Sequence, residues 1–310
     1  MIETPDPLSL TSKDAFANKT VIVTGGAGSI GRPLCIAFAR AGANVVVNDF
    51  GSDANGVGSS TGPAGEVAEE IREMGYVAVA DTHSVTEPEE IVKTAISFFG
   101  SIHVVINNAG IIHYAPFEKQ SPDIIRKIFE VNALGAVSIL HYAWPYFQAQ
   151  KYGRVINFIS DSIFGMPAST AYVLSRGAIL GINRTLALEG KPYNITVNAV
   201  GPTSLSRMVV DLIHDIPPQM QEAMKNTYTG ESNVPPILSL AHESNTVTGE
   251  FFNTGGYTVG RFVLGSVRPK QGCTTMIEAQ KVIPQLFSSS CDVKEPLSIQ
   301  DYLAFRASAG

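Results

Sequence analysis

Residues 20–31 read TVIVTGGAGSIG, an apolar run of β-branched residues that ends in a glycine-rich turn. The helix-like segment Arg32–Ala41 follows, and then a second apolar run, Ala43–Asn48. A buried strand, a turn, a helix and another buried strand form the repeating unit of a parallel sheet. Glycines let the backbone approach a pyrophosphate at the start of a helix, although an ordinary strand–helix turn has the same pattern. The candidate phosphate-binding residues are Gly25, Gly28, Ser29, Ile30 and Gly31.

The alternation of apolar runs and amphipathic segments continues to about residue 200. The other predicted strands are Val77–Ala80, His103–Ile106, Arg154–Ile159 and Ile195–Ala199, with Thr20–Val23 as the first. The other predicted helices are Gly65–Met74, Pro88–Phe99, one long helix across Asp123–Gln150, and Ala171–Gly190. Strands that are apolar throughout are typical of a parallel sheet covered on both faces. We therefore predict an α/β fold with a doubly wound parallel sheet of the Rossmann type, which binds ligands at the carboxyl ends of its strands.

The chain is predicted to be a single domain with a C-terminal extension. Polar residues 1–16, which include two prolines, are expected to be a flexible leader, and residues 17–260 the Rossmann-type domain. Several prolines in residues 201–235 predict a flap over the ligand site, and Glu250–Asn253 is the predicted last strand. Residues 261–310 form the extension, whose mixed polarity leaves open a covering arm and a subunit-contact arm.

Composition excludes several classes of protein. The net charge of −6 argues against nucleic-acid binding, and no apolar run reaches the roughly 18 residues of a membrane helix. Cys35, Cys273 and Cys291 have no metal or redox spacing, so no metal site is expected. The first residues do not have a signal-peptide pattern. These features predict a soluble, cytoplasmic protein whose partner is a small molecule.

One acid indicates the cofactor. Asp49 ends the second strand, 18 residues after Gly31. An acid at this place accepts hydrogen bonds from the adenosine ribose of a dinucleotide and repels a 2′-phosphate. No Lys or Arg interrupts Gly25–Gly31. The residues therefore favour NAD over NADP, while a turn-forming role for Asp49 stays open.

Two more strand ends carry candidate adenine contacts. Asn108, Ala109 and Gly110 follow the fourth strand, and Asp81 follows the third. Amide side chains and glycine at a strand end line a cofactor or form a turn, and both roles are open here. Asp81 is a candidate acceptor for the adenine amino group, with a surface turn as the alternative.

A hydroxyl, a phenol and a cation follow the fifth strand. Ser160 ends that strand, Tyr172 lies in the first turn of the next helix, and Arg176 is four residues further on. Residues four apart share one face of a helix. A phenol, a neighbouring cation and a second hydrogen-bond donor are what acid–base chemistry on a carbonyl or an alcohol requires.

Taken in order, the Thr24–Gly31 turn, Asn107–Gly110, Asn132, Ser160 and Tyr172 resemble the short-chain dehydrogenase/reductase superfamily over roughly residues 17–260. Within it the chain looks closest to the (3R)-hydroxyacyl-CoA dehydrogenase domain of peroxisomal multifunctional enzyme type 2. The segments that suggest this subgroup are Val47–Gly51 with the glycine-rich insertion after it, Lys151–Arg154, Leu188–Gly190, Ser206–Met208 and the tail beyond residue 250.

The resemblance implies a role for each motif residue. Tyr172 would be the general acid/base, Ser160 would bind the substrate oxygen, and Asn132 would hold a water for a proton relay. The implied cofactor contacts are Gly25, Gly28, Gly31, Asp49, Asn108, Gly110, Tyr172 and Arg176, with Pro202 and Thr203 near the nicotinamide. A homodimer through paired long helices is also implied, with His141, Trp144 and Tyr146 at the contact.

The chain departs from the family's pattern at three places near the site. Ser160 precedes Tyr172 by 12 residues, one fewer than is usual, so Ser162 is an alternative hydroxyl. His83 aligns with the family's adenine-contact acid, which leaves Asp81 as the substitute. Ser29 stands where the glycine turn usually has its middle glycine, a change that phosphate binding should tolerate.

A fourth departure affects the proton path. Arg176 replaces the family's lysine, and a guanidinium keeps the positive charge but does not give up a proton at ordinary pH. His113 and Tyr114 follow the Asn107–Gly110 motif and are expected to face the substrate, with an exposed loop as the alternative for His113.

These features predict an NAD(H)-dependent oxidoreductase that interconverts a secondary alcohol and a ketone. An acidic flap and the lack of a Ser-Lys-Leu ending favour a stand-alone tailoring enzyme of secondary metabolism with a largely apolar substrate. Three alternatives stay open: a non-redox isomerase, dehydratase or cyclase; a (3R)-hydroxyacyl-CoA dehydrogenase; and a cofactor-binding protein without catalysis.

Overall fold

An eight-stranded sheet lies at the centre of residues Met1–Arg261, the first of the chain's two compact units. The computed structural model describes residues 13–205, 218–270, 274–288 and 292–307. The strands are β1 (Thr20–Thr24), β2 (Asn44–Asn48), β3 (Ala78–Asp81), β4 (Val104–Asn107), β5 (Gly153–Phe158), β6 (Ile195–Pro202), β7 (Phe251–Gly255) and β8 (Thr258–Phe262). Their order is β3-β2-β1-β4-β5-β6-β7-β8, and neighbours from β3 to β7 pair in parallel. The order reverses between β1 and β4, so the carboxyl ends of these strands open a ligand crevice.

Helices cover both faces of the sheet. They are α1 (Gly31–Arg40), α2 (Gly62–Glu73), α3 (Pro88–Phe99), α4 (Pro122–Phe129), α5 (Gly135–Gln150), α6 (Thr170–Gly190), α7 (Pro218–Thr227) and α8 (Val234–Ala241). Val21 and Val23 pack into one core with α1, α2 and α8, whereas Ile22 packs into another with α3 and α5. Successive residues of a strand point to opposite faces, so both faces are buried and the predicted doubly wound fold is confirmed.

The predicted long helix across Asp123–Gln150 is wrong as a single element. It consists of α4 and α5, joined by a π-helical turn at Glu130–Leu134. Asn132 lies in this turn, where its Oδ1 accepts the Ile111 N–H at 2.8 Å and its Nδ2 donates to the Ile111 carbonyl at 2.9 Å. Such turns insert one residue into a helix and occur often at functional sites. The apolar periodicity continues through the insertion, so the pattern alone does not reveal it.

Phe16, inside the predicted leader of residues 1–16, packs into the core. Phe16 is 1% exposed, its N–H donates to the Ala41 carbonyl at 2.7 Å, and its ring packs edge-on against Phe38. The predicted leader of residues 1–16 therefore includes at least one core residue. Residues 1–12 lie outside the described ranges.

The predicted last strand, Glu250–Asn253, is not the last one, because β8 follows β7. The two residues between them, Gly256 and Tyr257, have positive φ angles of 57° and 59°. Two such residues in a row are typical of the tight turn of a β-hairpin. Tyr257 tolerates this angle less well than glycine would, which is why the turn was not apparent from the sequence.

The second unit, Phe262–Gly310, corresponds to the predicted extension and begins one residue later than expected. It contains a two-stranded antiparallel sheet, β9 (Ser266–Val267) and β10 (Val293–Lys294), and the helices α9 (Met276–Val282) and α10 (Ile299–Ala307). Its role as a subunit-contact arm stays a prediction. Part of the predicted flap, the Ser206–Met208 segment, Cys273 and Cys291 lie outside the described residues, while Cys35 is fully buried in α1.

Candidate active site

A cavity of about 720 Å³ lies at the carboxyl ends of β1, β4, β5 and β6. The predicted site residues that line it are Gly25, Gly28, Ser29, Ile30, Asp49, Asn108, Ala109, Gly110, Ser160, Tyr172, Arg176, Pro202 and Thr203. Gly31, Asp81, His113, Asn132 and Ser162 are not on its wall. The fold therefore brings the glycine turn and the acid–base residues to one cavity.

The glycine turn is shaped by the close approach of its own backbone. A Cβ atom at Gly31 would overlap the Gly25 carbonyl oxygen, and Gly25 has a φ angle of 63°. Side chains at these positions would open the turn. Helix α1 begins behind it without a side-chain cap, and the positive end of its dipole favours an anion at the turn. The turn fits the pyrophosphate of a dinucleotide.

Asp49 both holds the glycine turn and lines the cavity. Its Oδ2 accepts the Ala27 N–H at 3.0 Å, and its Oδ1 accepts the Gly51 N–H at 2.8 Å. A carboxylate has about four acceptor positions, so it retains lone pairs for the hydroxyls of a ribose. The two roles considered for Asp49, turn former and ligand contact, are therefore compatible.

Asn108 ties β4 to the glycine turn. Its Nδ2 donates to the carbonyls of Thr24 and Gly25 at 2.8 and 2.9 Å. The Ala109 N–H donates to Thr24 Oγ1 at 3.0 Å. These bonds hold together the ends of β1 and β4, the two strands between which the crevice opens.

Asp81 is turned away from the cavity. Its buried carboxylate accepts hydrogen bonds from Asn48 Nδ2 at 2.7 Å and Thr94 Oγ1 at 2.6 Å. It also accepts the His83 N–H at 3.1 Å and lies 3.0 Å from His83 Nδ1. The hydrogen bond to Asp81 raises the pKa of His83 above its ordinary value. His83 is the side chain that lines the cavity here, and an adenine contact by Asp81 stays a prediction.

Of the two candidate hydroxyls, Ser160 is on the cavity wall and Ser162 is not. Ser160 Oγ accepts the Ser162 N–H at 3.2 Å and so caps the 3₁₀ turn Asp161–Phe164. Ser160 Oγ also lies 3.3 Å from Asp161 Oδ1. The geometry favours Ser160 for contact with a ligand, although one residue is missing from the usual spacing to Tyr172.

Tyr172 is half-buried on the cavity wall, and a polar network supports its backbone. Ser175 Oγ donates to the Tyr172 carbonyl at 2.7 Å, and Asn132 Nδ2 donates to Ser175 Oγ at 3.1 Å. Asn132 thus connects the π-helical turn to the first turn of α6. Its predicted role in holding a relay water stays a prediction.

Arg176 is built into the cavity wall. It is 4% exposed, its Cζ lies 5.0 Å from the centroid of the Tyr172 ring, and its Nη1 donates to the Phe158 carbonyl at 3.0 Å. A Cβ atom at Gly110 would overlap Arg176 Nη2. Glycine at position 110 therefore makes room for the guanidinium, which needs more space than an ammonium group.

The family model for short chain dehydrogenases matches residues 19–213. The chain belongs to the short-chain dehydrogenase family. It is 35% identical over 291 residues to peroxisomal multifunctional enzyme type 2 of Mus musculus, with 92% of this chain and 39% of that protein covered. It is 36% identical over 251 residues to a putative short-chain type dehydrogenase/reductase of Mycobacterium tuberculosis, with 80% of this chain and 85% of that protein covered.

A solved short chain dehydrogenase from Mycobacterium avium has a TM-score of 0.75 and 28% identity, with 88% of this chain and 95% of that one covered. These similarities confirm the resemblance inferred from the motifs. The chain spans only 27% and 54% of the length of two further multifunctional relatives. Members of the short-chain dehydrogenase family are enzymes that use nicotinamide cofactors.

In this short-chain dehydrogenase, part of the cavity wall is formed by a loop that the sequence did not place there. The insertion after β2 contributes Phe50, Ser52, Asp53, Ala54 and Gly56 to the wall. Lys127 Nζ of α4 donates to the Gly56 and Asn55 carbonyls at 2.7 and 3.3 Å, and the Ile112 N–H donates to the Ala54 carbonyl at 2.9 Å. The glycine-rich insertion was a signal of a long loop, but nothing local showed where the loop packs.

Gln120 is a second residue that sequence reasoning missed. Its Nε2 donates to the Ala115 carbonyl at 2.7 Å, and its Oε1 accepts the Ala171 N–H at 3.0 Å. The buried amide thus fixes the start of α6, directly before Tyr172. A lone glutamine in a polar stretch gives no signal of this role.

Tyr114 lines the cavity, whereas His113, the predicted substrate residue, does not. Any contact of His113 with a substrate stays a prediction. Among the described residues, no helix has the length and apolar character needed to cross a membrane. The same residues hold no group of three or more His, Cys, Asp or Glu side chains that could bind a metal ion.

Proposed function

We propose that this short-chain dehydrogenase is an NAD(H)-dependent oxidoreductase that interconverts a secondary alcohol and a ketone. A single observation carries the proposal: the glycine turn, Asp49, Ser160 and Tyr172 line the same cavity. A dinucleotide on the turn and a substrate oxygen beside the phenol would therefore share one enclosed space. A protein that only bound the cofactor would not need the serine and the tyrosine on its wall.

Each residue has a task in alcohol oxidation. The glycine turn, Asp49 and Asn108 would hold the dinucleotide, whose nicotinamide supplies the hydride acceptor when bound. Tyr172 takes the hydroxyl proton, and Ser160 forms a hydrogen bond with the same oxygen. Arg176, which is buried with its Cζ 5.0 Å from the centroid of the Tyr172 ring, would supply a permanent positive charge beside that ring. Ketone reduction uses the same groups in the reverse order.

The charges of the wall support NAD over NADP. Asp49 stands at the expected ribose position, where it would repel a 2′-phosphate. Among the described residues, the Lys and Arg side chains on the wall are Lys127 and Arg176, and both donate to backbone carbonyls. Part of the donor capacity of each is therefore already used within the protein.

The same wall supports an uncharged, largely apolar substrate. Its acidic residues are Asp49, Asp53, Glu87, Glu130 and Asp161, and its apolar residues include Ile111, Ile112, Val131, Phe158, Ile159 and Met166. Acids repel the phosphates of an anionic substrate. A stand-alone tailoring role in secondary metabolism, at a cytoplasmic location, is part of this proposal.

Two other functions have specific support. The 35% identity to a peroxisomal multifunctional enzyme favours a dehydrogenase acting on (3R)-hydroxyacyl-CoA thioesters as the second candidate. A non-redox isomerase, dehydratase or cyclase is favoured by Arg176, which cannot pass on the proton that net oxidation releases.

We also propose a homodimer through α5. Tyr142 and Tyr146 of this helix are 38% and 40% exposed, and His141, the residue before Tyr142, is exposed as well. Aromatic residues on an exposed helix face are common at protein–protein contacts. Sedimentation measurements on the wild type and on Tyr146→Glu would test it, and a wild-type monomer would contradict it.

The test of the main proposal is the absorbance of NADH during incubation with secondary alcohols. We expect faster reduction of NAD⁺ than of NADP⁺, and a loss of about 10²- to 10⁴-fold in Tyr172→Phe, since acid–base catalysis contributes about that much. The control is Tyr257→Phe, which changes an exposed tyrosine in the β7–β8 turn. Substrate conversion without net NADH would support isomerisation instead, and faster turnover of hydroxyacyl-CoA would support the second candidate.

A further inference from the structure

We propose that His83, held in place by Asp81, recognises the exocyclic group of the cofactor's purine ring, and that the charge of His83 decides whether an amino group or a carbonyl oxygen binds better there. The proposal rests on the proposed function, which supplies the bound dinucleotide. It adds the side chain that recognises the base and a dependence of that recognition on pH.

Three neighbouring strand ends place His83 where the base would lie. The sheet runs from β1 through β2 to β3 at its edge, and the glycine turn, Asp49 and His83 follow these three strands. The Asp49 N–H donates to the Asp81 carbonyl, and Asn48 Nδ2 donates to the His83 carbonyl, both at 2.9 Å. With the pyrophosphate on the turn and the ribose at Asp49, the base would reach His83, which lines the same cavity.

Asp81 fixes which nitrogen of His83 carries the hydrogen. The Asp81 side chain is 1% exposed, and its Oδ1 accepts from Asn48 Nδ2 at 2.7 Å and from the His83 N–H at 3.1 Å. Its Oδ2 accepts from Thr94 Oγ1 at 2.6 Å and lies 3.0 Å from His83 Nδ1. These contacts use the roughly four acceptor positions of a carboxylate. Since a carboxylate only accepts, the hydrogen of the neutral imidazole is on Nδ1.

The other ring nitrogen, Nε2, is left for the cavity. The His83 side chain is 42% exposed, and Nε2 has no hydrogen-bond partner within the described residues. In the neutral ring, Nε2 has a lone pair, which accepts a hydrogen from an amino group but repels a carbonyl oxygen. In the protonated ring, Nε2 is a donor, which binds a carbonyl oxygen and opposes an amino group. Protonation of His83 therefore reverses the preference for the exocyclic group.

The surroundings of His83 favour the protonated ring. The hydrogen bond to Asp81 raises the pKa of His83, burial opposes this rise, and the charges of Asp81, Glu87 and Glu90 add to it. The charged groups that flank His83, after β2, on β3 and around α3, are Asp49, Asp81, Glu87, Glu90 and Lys93. Lys93 is itself paired with Glu90 at 2.9 Å. Because four of these five groups are acids, the reversal should begin above the ordinary pKa of an imidazole.

The probes are NADH and its analogue with hypoxanthine in place of adenine, in which a carbonyl oxygen replaces the amino group. Isothermal titration gives both affinities without turnover, at about pH 8 and at about pH 6. We expect the wild type to prefer NADH about fivefold at the higher pH, the effect of one net hydrogen bond. This preference should disappear or reverse at the lower pH. A ratio of affinities that is equal at the two pH values would overturn the proposal.

Two histidine variants form a matched pair. His83→Asn cannot change its charge, so its ratio of affinities should be the same at both pH values. His242 lies 2.8 Å from Ser244 Oγ through its Nδ1 and is not on the cavity wall, so His242→Asn should keep the shift of the wild type. A shift that persists in His83→Asn would show that another group recognises the base.

The outcomes separate this proposal from the proposed function. Binding of both dinucleotides at a ratio independent of pH would overturn the role of His83 and leave alcohol oxidation untouched. A shifting ratio in a protein that oxidises no secondary alcohol would support His83 and contradict the proposed function. If neither dinucleotide binds, both proposals fail.

Discussion

A methyl group at Gly110 should displace the Arg176 guanidinium. A Cβ atom there would overlap Nη2 and lie 3.3 Å from both Arg176 Cζ and Asn132 Oδ1. Gly110 does not have a positive φ angle, so Gly110→Ala carries no backbone strain and its cost is the collision. Restoring an ordinary contact requires the guanidinium to move on the order of 1 Å, because a packed interior has little free volume.

Two contributions set the size of the effect. Overpacking a filled interior costs about 1–3 kcal/mol. Losing the bond from Arg176 Nη1 to the Phe158 carbonyl, at 3.0 Å, costs about 1.5–3 kcal/mol for a charged donor. With partial relaxation, we expect Gly110→Ala to lower the free energy of unfolding by about 2–4 kcal/mol. A displacement of about 1 Å should also lower kcat/KM about 100-fold.

The assay is a double-mutant cycle by urea unfolding. Arg176→Lys removes the guanidinium fork, so it should relieve the collision and make the double variant about 1–3 kcal/mol more stable than the sum of the single losses. Gly65→Ala in α2 is the control, since a Cβ atom there has no neighbour within 4 Å and alanine favours a helix by about 0.5–1 kcal/mol. Losses of Gly110→Ala and Arg176→Lys that add within about 0.5 kcal/mol would refute the steric reasoning.

Three further predictions concern other parts of the molecule. Lys127→Met removes the ammonium that binds the Gly56 carbonyl, so hydrogen exchange of residues 54–57 should become at least about tenfold faster, and unchanged exchange would contradict the role of this contact. Burial, and after it the charge of Lys19, lowers the pKa of His103 from its ordinary 6.5 to about 4. Between pH 6.5 and pH 4 the unfolded chain therefore binds a proton at His103 that the folded chain does not bind. The free energy of unfolding should fall as the pH drops through this range. Allowing for partial exposure, the loss in urea titrations should be about 1–2 kcal/mol and absent in His103→Asn. Asp49→Ser should raise KM for NAD⁺ about tenfold and reduce the preference over NADP⁺, measured by initial rates.

Much of the fold follows from local patterns. The runs around Val21, Val45 and Val104 are β-branched and apolar throughout, which is typical of strands buried on both faces. Residues that end such strands, including Asp49, Asn108 and Ser160, come to one edge because parallel strands share a direction. For this reason a chain of separate short motifs predicted a common cavity.

Loop insertions and helix irregularities were not predictable in the same way. The π-helical turn around Asn132 continues the apolar periodicity of its neighbours. The glycine-rich insertion after β2, which Lys127 contacts, has no apolar periodicity at all. Each is stabilised by contacts with residues distant in the sequence, such as Asn132 with Ile111 and Lys127 with Gly56.

The sequence by itself determined the doubly wound fold, the glycine turn, and the place of Asp49, Ser160 and Tyr172 at or after the ends of the strands. These features depend on residue type and local spacing. Only the tertiary structure decided that Ser160 and not Ser162 reaches the cavity, and that Gly110 makes room for Arg176. These outcomes depend on side-chain direction and on packing between elements far apart in the chain.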